Sequence, residues 1–246
     1  MRWLAALPVY NEEKYIDSVL GEVCKYADDV LVVNDGSTDA TAQRLAQWPQ
    51  VKTVSHETNL GYGAALKSAF QYAIDGGYDC LVTLDCDGQH QPSMIPQFVE
   101  ACAEADVVSG SRYLRPFPGD SQPPEDRMRI NRQITELLNR LFGLGITDAF
   151  CGFKAYRVEA LRQLDIHETG YAMPLEVWVQ VAALGLRVIE IAVPLLYLDL
   201  SRSFGGSLDD AERRWQHYNE VLGRSIDRMR ARGYHLPPLA SSSPNS

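Results

Sequence analysis

No stretch of this sequence approaches the roughly 18 consecutive apolar residues that suggest a membrane-spanning helix, so any membrane contact is expected to be peripheral. The amino-terminal run MRWLAALPVYNEE is too short in apolar residues for an expected signal peptide and meets a polar segment at once. Cysteines are few. None of Cys24, Cys80, Cys86, Cys102 and Cys151 belongs to a CxxC pair. Most lie among apolar residues, where a free thiol behaves as a small hydrophobe, and reduced thiols in a cytoplasmic protein are the simpler expectation. Basic charge is also short: 23 Lys+Arg face 32 Asp+Glu, a net charge of -9. That balance argues against nucleic acid as a partner, because non-specific binding rests on neutralising phosphates. It leaves phosphate ligands open, since a divalent cation reconciles carboxylates with a diphosphate. There is no internal repeat, no GxGxxG fingerprint and no second apolar region large enough for another core.

What is present is a regular alternation of short apolar runs and helical periods. Strands are predicted over residues 2–9, 30–33, 51–55, 80–84 and 106–109, and helices over 12–26, 41–48, 61–74 and 92–102. Strands alternating with helices imply an α/β fold, a three-layer αβα sandwich on a mostly parallel sheet. With 246 residues and 46% hydrophobic content, one substantial core is expected. After Gly110 the pattern changes. Residues 113–126 hold four prolines and are expected to form a mobile loop. A helix over 127–142, a strand over 150–156, a helix over 173–184 and a strand over 187–193 follow, then one long helix over 208–232. The domain reading is a catalytic unit at 1–207, an amphipathic helix at 208–232 and a disordered tail at 233–246.

Polar residues gather where the strands end. Leu84-Asp-Cys-Asp-Gly-Gln-His90 follows a wholly apolar strand. Ligands of open α/β sheets collect at such carboxyl ends. Asp85 and Asp87, two residues apart, approach one site if the turn is extended; Gly88 permits a tight turn and Gln89 adds a neutral oxygen. This oxygen-rich set suits Mg²⁺ or Mn²⁺, with diphosphate oxygens and water completing the shell. A surface Asx turn without a ligand is the alternative. His90 either orients this site or packs as an ordinary histidine.

In Val32-Val-Asn-Asp-Gly-Ser-Thr-Asp39, Asp35 is suited to accept a base N–H and Asp39 a ribose hydroxyl. Ser37 and Asp39 also suit the N-cap of the next helix, which for Ser37 is the preferred reading. In Pro8-Val-Tyr-Asn-Glu-Glu13, Tyr10 can stack on a base and Glu12 can orient ribose, while capping by Asn11 and helix-dipole effects of Glu12 account for much of the same segment. Asn59-Leu-Gly-Tyr-Gly63 opens a helix; Gly61 and Gly63 fit close backbone approach, and Lys67 either reaches an anion or is solvated.

Taken together, PVYNEE at 8–13, VVNDGSTD at 32–39, NLGYGAAL at 59–66, DCDGQHQP at 85–92, SGSRY at 109–113 and TDAFCGFKAYR at 147–157 resemble family 2 glycosyltransferases of the GT-A fold, particularly polyprenyl/dolichyl-phosphate sugar transferases. The resemblance weakens through VPLLYLDLSRSFGGS at 193–207. It implies a Rossmann-like sandwich with a mixed sheet and an inverting transfer from a nucleotide diphosphate-sugar. It places Pro8, Tyr10, Glu12 and Asp35 around the nucleotide, and Asp85, Asp87 and Gln89 on the cation. Together with charge logic it places Arg112, Arg127 or Arg129, and Arg202 near donor or acceptor phosphates. Cys151 and Leu208 depart from the family pattern, and the QxxRW signature of processive synthases is absent. The expected acceptor is polyprenyl phosphate at the cytoplasmic membrane face; the rivals are a soluble transferase with a sugar, protein or small-metabolite acceptor, and a non-catalytic nucleotide-sugar binder. The last helix is expected to pack on the catalytic unit, with contact to a membrane or a membrane-protein partner as the other reading.

Overall fold

The computed structural model describes residues 1–198 and 206–239. Its centre is β1 (Trp3–Val9), whose side chains alternate between two cores. Leu4 and Ala6 enter one, while Ala5, Leu7 and Val9 enter the other. This two-sided burial is why the strand reads as a continuous apolar run. The same holds for β2 (Val30–Asn34) and β4 (Cys80–Thr83), every residue of which is buried.

The sheet has seven strands in the order β3-β2-β1-β4-β6-β5-β7, adding β3 (Lys52–Ser55), β5 (Val107–Ser111), β6 (Lys154–Arg157) and β7 (Val188–Ala192). All neighbours are parallel except β6, which runs antiparallel to both β4 and β5. The mixed, mostly parallel GT-A-type sheet is therefore present. One face is covered by α1 (Ile16–Val23), α2 (Thr41–Leu45) and α4 (Ile95–Ala101). The other carries α3 (Tyr62–Asp75), α5 (Glu125–Phe142), α6 (Val158–Leu161), α7 (Met173–Leu184) and α8 (Ala211–Ala231). The four-residue α6 lies outside the elements expected from periodicity, being too short to show one.

Helix α7 is buried along Met173–Val181 because it lies under α8. Helix α8 places Tyr218, Val221, Leu222, Ile226 and Met229 in the core. At about 1.5–3 kcal/mol for each large apolar side chain buried, this face is worth on the order of 10 kcal/mol where it is. It is committed to the protein interior, as the packing reading expected. Among the described residues no helix is long and apolar enough to cross a membrane.

Two local expectations are corrected. The segment expected to be a mobile loop is pinned: Asp120 accepts the amides of Phe117 (2.7 Å) and Leu195 (2.8 Å), and Ser121 exchanges hydrogen bonds with Leu195 and Tyr197. Its prolines limit the conformations to be frozen, and these bonds supply the rest. Ser37 is not the N-cap of α2, because its hydroxyl accepts the Asn11 N–H (3.0 Å), while Asp39 accepts the Thr41 N–H (2.9 Å). The expected tail at 233–246 falls partly outside the described residues.

Candidate active site

The chain runs from β1 outward to β2 and β3, then crosses back to place β4 on the other side of β1. Loops leaving β1 and β4 therefore diverge, and a crevice opens at their carboxyl ends. A cleft of about 430 Å³ lies there, within the size range of small-ligand sites. Pro8, Tyr10 and Glu12 line it from β1, Asp35 from β2, Asp85, Asp87 and Gln89 from β4, and Arg112 and Arg127 from the opposite wall.

The acidic turn is built by local bonds. Asp87 Oδ1 accepts the Gln89 amide (3.0 Å), an Asx-type turn that aims Asp87 and Gln89 into the same space. The Asp85 amide lies 2.9 Å from His90 Nδ1, and His90 Nε2 lies 3.8 Å from Asp85 Oδ2. His90 thus supports the turn from behind and packs on Phe153. Asp85 Oδ1 accepts the Tyr62 hydroxyl at 3.0 Å. Burial, and then the Asp85 charge, hold that phenol well above its ordinary pKa, so it stays a donor.

Gly152 makes room for this arrangement. A Cβ there would lie 2.8 Å from Asp85 Oδ1 and from Tyr62 Oη, and nearer still to Asp85 Oδ2. The bend carrying Gly152 is held from below by Thr83 Oγ1, which donates to the Gly152 carbonyl (3.0 Å). Lys154, buried at 2% exposure, donates to the Cys151 carbonyl (2.6 Å) and Ser109 Oγ (2.8 Å). Burial lowers the pKa of this lysine.

Asp35 is 2% exposed and its carboxylate already holds the next loop, accepting the amides of Leu60 (2.9 Å) and Gly61 (2.8 Å) and bonding His56 (2.6 Å). Its edge on the cleft is part of a rigid wall. Gly61, at φ 105°, carries the chain from that wall into α3 where a side chain would strike the Thr169 carbonyl. Asn11, also at positive φ, accepts the Thr38 amide (2.8 Å), tying the β1 and β2 loops together rather than capping α1.

On the opposite wall Arg112 grips the fully buried Asp148 in a fork, Nε to Oδ2 at 2.7 Å and Nη2 to Oδ1 at 2.9 Å. Asn131 (2.8 Å) and the Phe150 amide (3.1 Å) donate to the same carboxylate. Burial alone would raise the Asp148 pKa, but Arg112 and Asn131 hold it well below the usual carboxylate range. Glu190 of β7 accepts the amides of Thr147 and Asp148, so the loop bearing Asp148 is anchored to the sheet. Arg214 of α8 bonds Asp126 at 2.5 Å, next to Arg127. Tyr171, Tyr197 and Tyr218 complete the wall.

Three expected site residues lie outside the cleft. Gly63 is packed where a side chain would meet the Glu168 carbonyl and Met173, so its small size serves helix docking. Lys67 is half-buried further along α3, and Arg129 is exposed on α5. Arg202 lies outside the described residues. Conversely, Tyr62, Gly152, Asp148 and Arg214 have site positions that received no role from the sequence, although Tyr62 and Gly152 sit inside the motifs NLGYGAAL and TDAFCGFKAYR.

A mixed sheet of this order, with an acidic turn opening into a cleft at its switch point, defines the architecture of nucleotide-sugar-dependent glycosyltransferases of the GT-A type. The family model described as glycosyl transferase family 2 matches residues 5–165. The chain belongs to that family and is a glycosyltransferase. It is 34% identical over 91% of its length to an undecaprenyl-phosphate mannosyltransferase of Micrococcus luteus, of which the whole length is matched. It is 30% identical over 93% of its length to a polyprenol monophosphomannose synthase of Mycolicibacterium smegmatis, of which 90% is matched. Among solved structures, it shares its fold with glucosyl-3-phosphoglycerate synthase from Mycobacterium tuberculosis in complex with Mn²⁺, UDP-glucose and phosphoglyceric acid. The TM-score is 0.70 at 19% identity, over 92% of this chain and 80% of that one.

Proposed function

We propose that this enzyme transfers a sugar from a nucleotide diphosphate-sugar to a hydrophilic, anionic acceptor, by direct displacement with inversion at the anomeric carbon. The observation that carries this reading is the shared cleft. Residues at the ends of β1, β2 and β4 face an arginine- and tyrosine-lined wall across one space. Pro8, Tyr10, Glu12 and Asp35 surround the nucleotide on the sheet side. Arg112, whose fork is taken up by Asp148, and Arg127 line the other side, where guanidinium charge suits phosphate or acceptor oxygens.

Asp85, Asp87 and Gln89 are the residues that would hold Mg²⁺ or Mn²⁺. The donor set fits: hard oxygen ligands from one turn line the cleft. No group of three His, Cys, Asp or Glu able to enclose a metal occurs among the described residues. An ion there would share its shell with substrate oxygens instead of sitting in a closed protein cage. When bound, it would neutralise charge on the departing diphosphate.

The polyprenyl phosphate acceptor expected from the sequence is corrected. The solved synthase that shares this fold was crystallised with phosphoglyceric acid, a small hydrophilic anion. The apolar face of α8, the segment weighed for membrane contact, is occupied by the protein's own core. Among the described residues, the wall running through Arg112, Tyr113, Arg127, Asn131, Phe150, Tyr171, Tyr197, Arg214 and Tyr218 contributes no carboxylate to the cleft. The arginines of that wall suit an anionic acceptor.

The test is an acceptor panel of sugar phosphates, phosphorylated organic acids and undecaprenyl phosphate, with UDP- and GDP-hexoses and Mn²⁺ or Mg²⁺. The expected result is metal-dependent release of nucleoside diphosphate together with a water-soluble glycosylated product. Because two relatives are named for polyprenyl carriers, the lipid arm is decisive: a product that partitions only into organic solvent overturns the acceptor reading. Gly152→Ala, which pushes a methyl group onto Asp85 and Tyr62, is expected to weaken Mn²⁺-dependent nucleotide binding about tenfold. A thermal-shift titration measures this.

A further inference from the structure

The first acidic residue of the turn is held by a side chain from a helix elsewhere in the chain. Tyr62 stands in the first turn of α3, and its hydroxyl donates to Asp85 Oδ1 at 3.0 Å. Its ring stacks on Tyr171 with centroids 5.6 Å apart and planes 17° from parallel. The turn of α3 that carries it is docked through the Ala64 amide onto the Thr169 carbonyl (3.1 Å). The segment bearing Tyr171 is fixed in turn by buried Glu176, which accepts the amides of His167 (2.8 Å) and Glu168 (2.6 Å) and pairs with Arg228 of α8. Tyr62 therefore approaches Asp85 from α3, backed by the segment around Glu168 and Tyr171. The space left by Gly152 lets phenol and carboxylate meet.

We propose that Tyr62 is a positioning residue that sets the orientation of the Asp85 carboxylate toward the cation and nucleotide, by occupying Oδ1 with a hydrogen bond. A carboxylate bonded in this way loses rotational freedom before any ligand arrives, so less ordering remains to be done on binding. Groups that orient metal-binding carboxylates typically change metal affinity or activity by about 10–100-fold when removed. The inference rests on the cation site proposed above.

The test is Tyr62→Phe, which deletes one oxygen and keeps the ring stacked on Tyr171. Mn²⁺ binding is titrated by the electron paramagnetic resonance signal of free Mn²⁺, with UDP or GDP present. Tyr62→Phe is expected to raise the Mn²⁺ dissociation constant about tenfold, with the urea midpoint of the ligand-free protein unchanged. In an Asp85→Asn background the same substitution is expected to have no further effect, since it acts through the carboxylate. Unchanged or tighter Mn²⁺ binding by Tyr62→Phe, or fully additive effects in the double variant, overturns the role of Tyr62 while leaving the cation site in place. A wild-type protein that takes up no Mn²⁺ with either nucleotide overturns the cation site and the inference together.

Discussion

Asp87→Asn is expected to lower kcat/KM about a thousandfold while the protein remains folded. Asparagine keeps an oxygen that can accept the Gln89 amide, as Asp87 Oδ1 does at 3.0 Å, so the turn is retained. What is lost is negative charge at the proposed cation site, whose proposed protein ligands are two carboxylates and a carboxamide. Lewis-acid stabilisation of a departing diphosphate is worth several kcal/mol; about 4 kcal/mol corresponds to three orders of magnitude in rate. Steady-state transfer with varied Mn²⁺ measures the effect. A variant with wild-type kcat/KM at low Mn²⁺ would remove Asp87 from the cation site, and near-normal rates restored by excess Mn²⁺ would mean that Asn still supplies an adequate ligand.

Asp148→Ala is expected to cost about 3–5 kcal/mol of stability, the usual penalty for leaving one member of a buried ion pair without its partner. For a protein of this length that corresponds to a melting temperature lower by roughly 10 °C. The carboxylate it removes is 0% exposed and receives Arg112 twice, Asn131 and the Phe150 amide. Its removal loosens Arg112 and Phe150 together, and both line the cleft. The same group makes a pH prediction. Its folded pKa lies well below the unfolded carboxylate value of about 3.9. The stabilisation is thus fully present above about pH 4 and is lost as pH falls below that value toward the folded pKa. Urea titrations of the wild type and Asp148→Asn between pH 6 and pH 3 should show their stabilities converging only at the acidic end. A constant difference across that range would mean that the pairing does not depend on this carboxylate's ionisation.

The strands and helices of the nucleotide half were legible because burial on two faces leaves a continuous apolar run, as in Leu4–Leu7 and Cys80–Thr83. The acidic turn was legible for a related reason: where an apolar strand stops, polar residues such as Asp85, Asp87 and Gln89 mark the edge of the sheet at which ligands gather. The direction of β6 was not legible, since alternation of side chains is the same for a parallel and an antiparallel strand. Its reversal places Gly152 beside Asp85, so an important piece of the site came from a residue that local pattern marks only as small. Gly63 and Lys67 show the converse error. Close backbone approach and an anion contact were expected of them, but the first turn of α3 faces the segment around Glu168 and Thr169 on that side, packing accounts for the glycine, and Lys67 does not line the cleft.

The order of apolar runs and polar strand ends was enough to specify the α/β sandwich and the acidic turn, and the short motifs carried the family resemblance, because each of these is written in residues close together in the chain. The wall facing that turn was not specified in this way. Tyr62 meets Asp85 across 23 residues, and Arg214 meets Asp126 across 88. Hydrophobic periodicity says which side of a helix is buried but not which partner buries it, so the support of Asp85, the pinned loop before α5 and the inward commitment of α8 emerged only when the layers closed on one another.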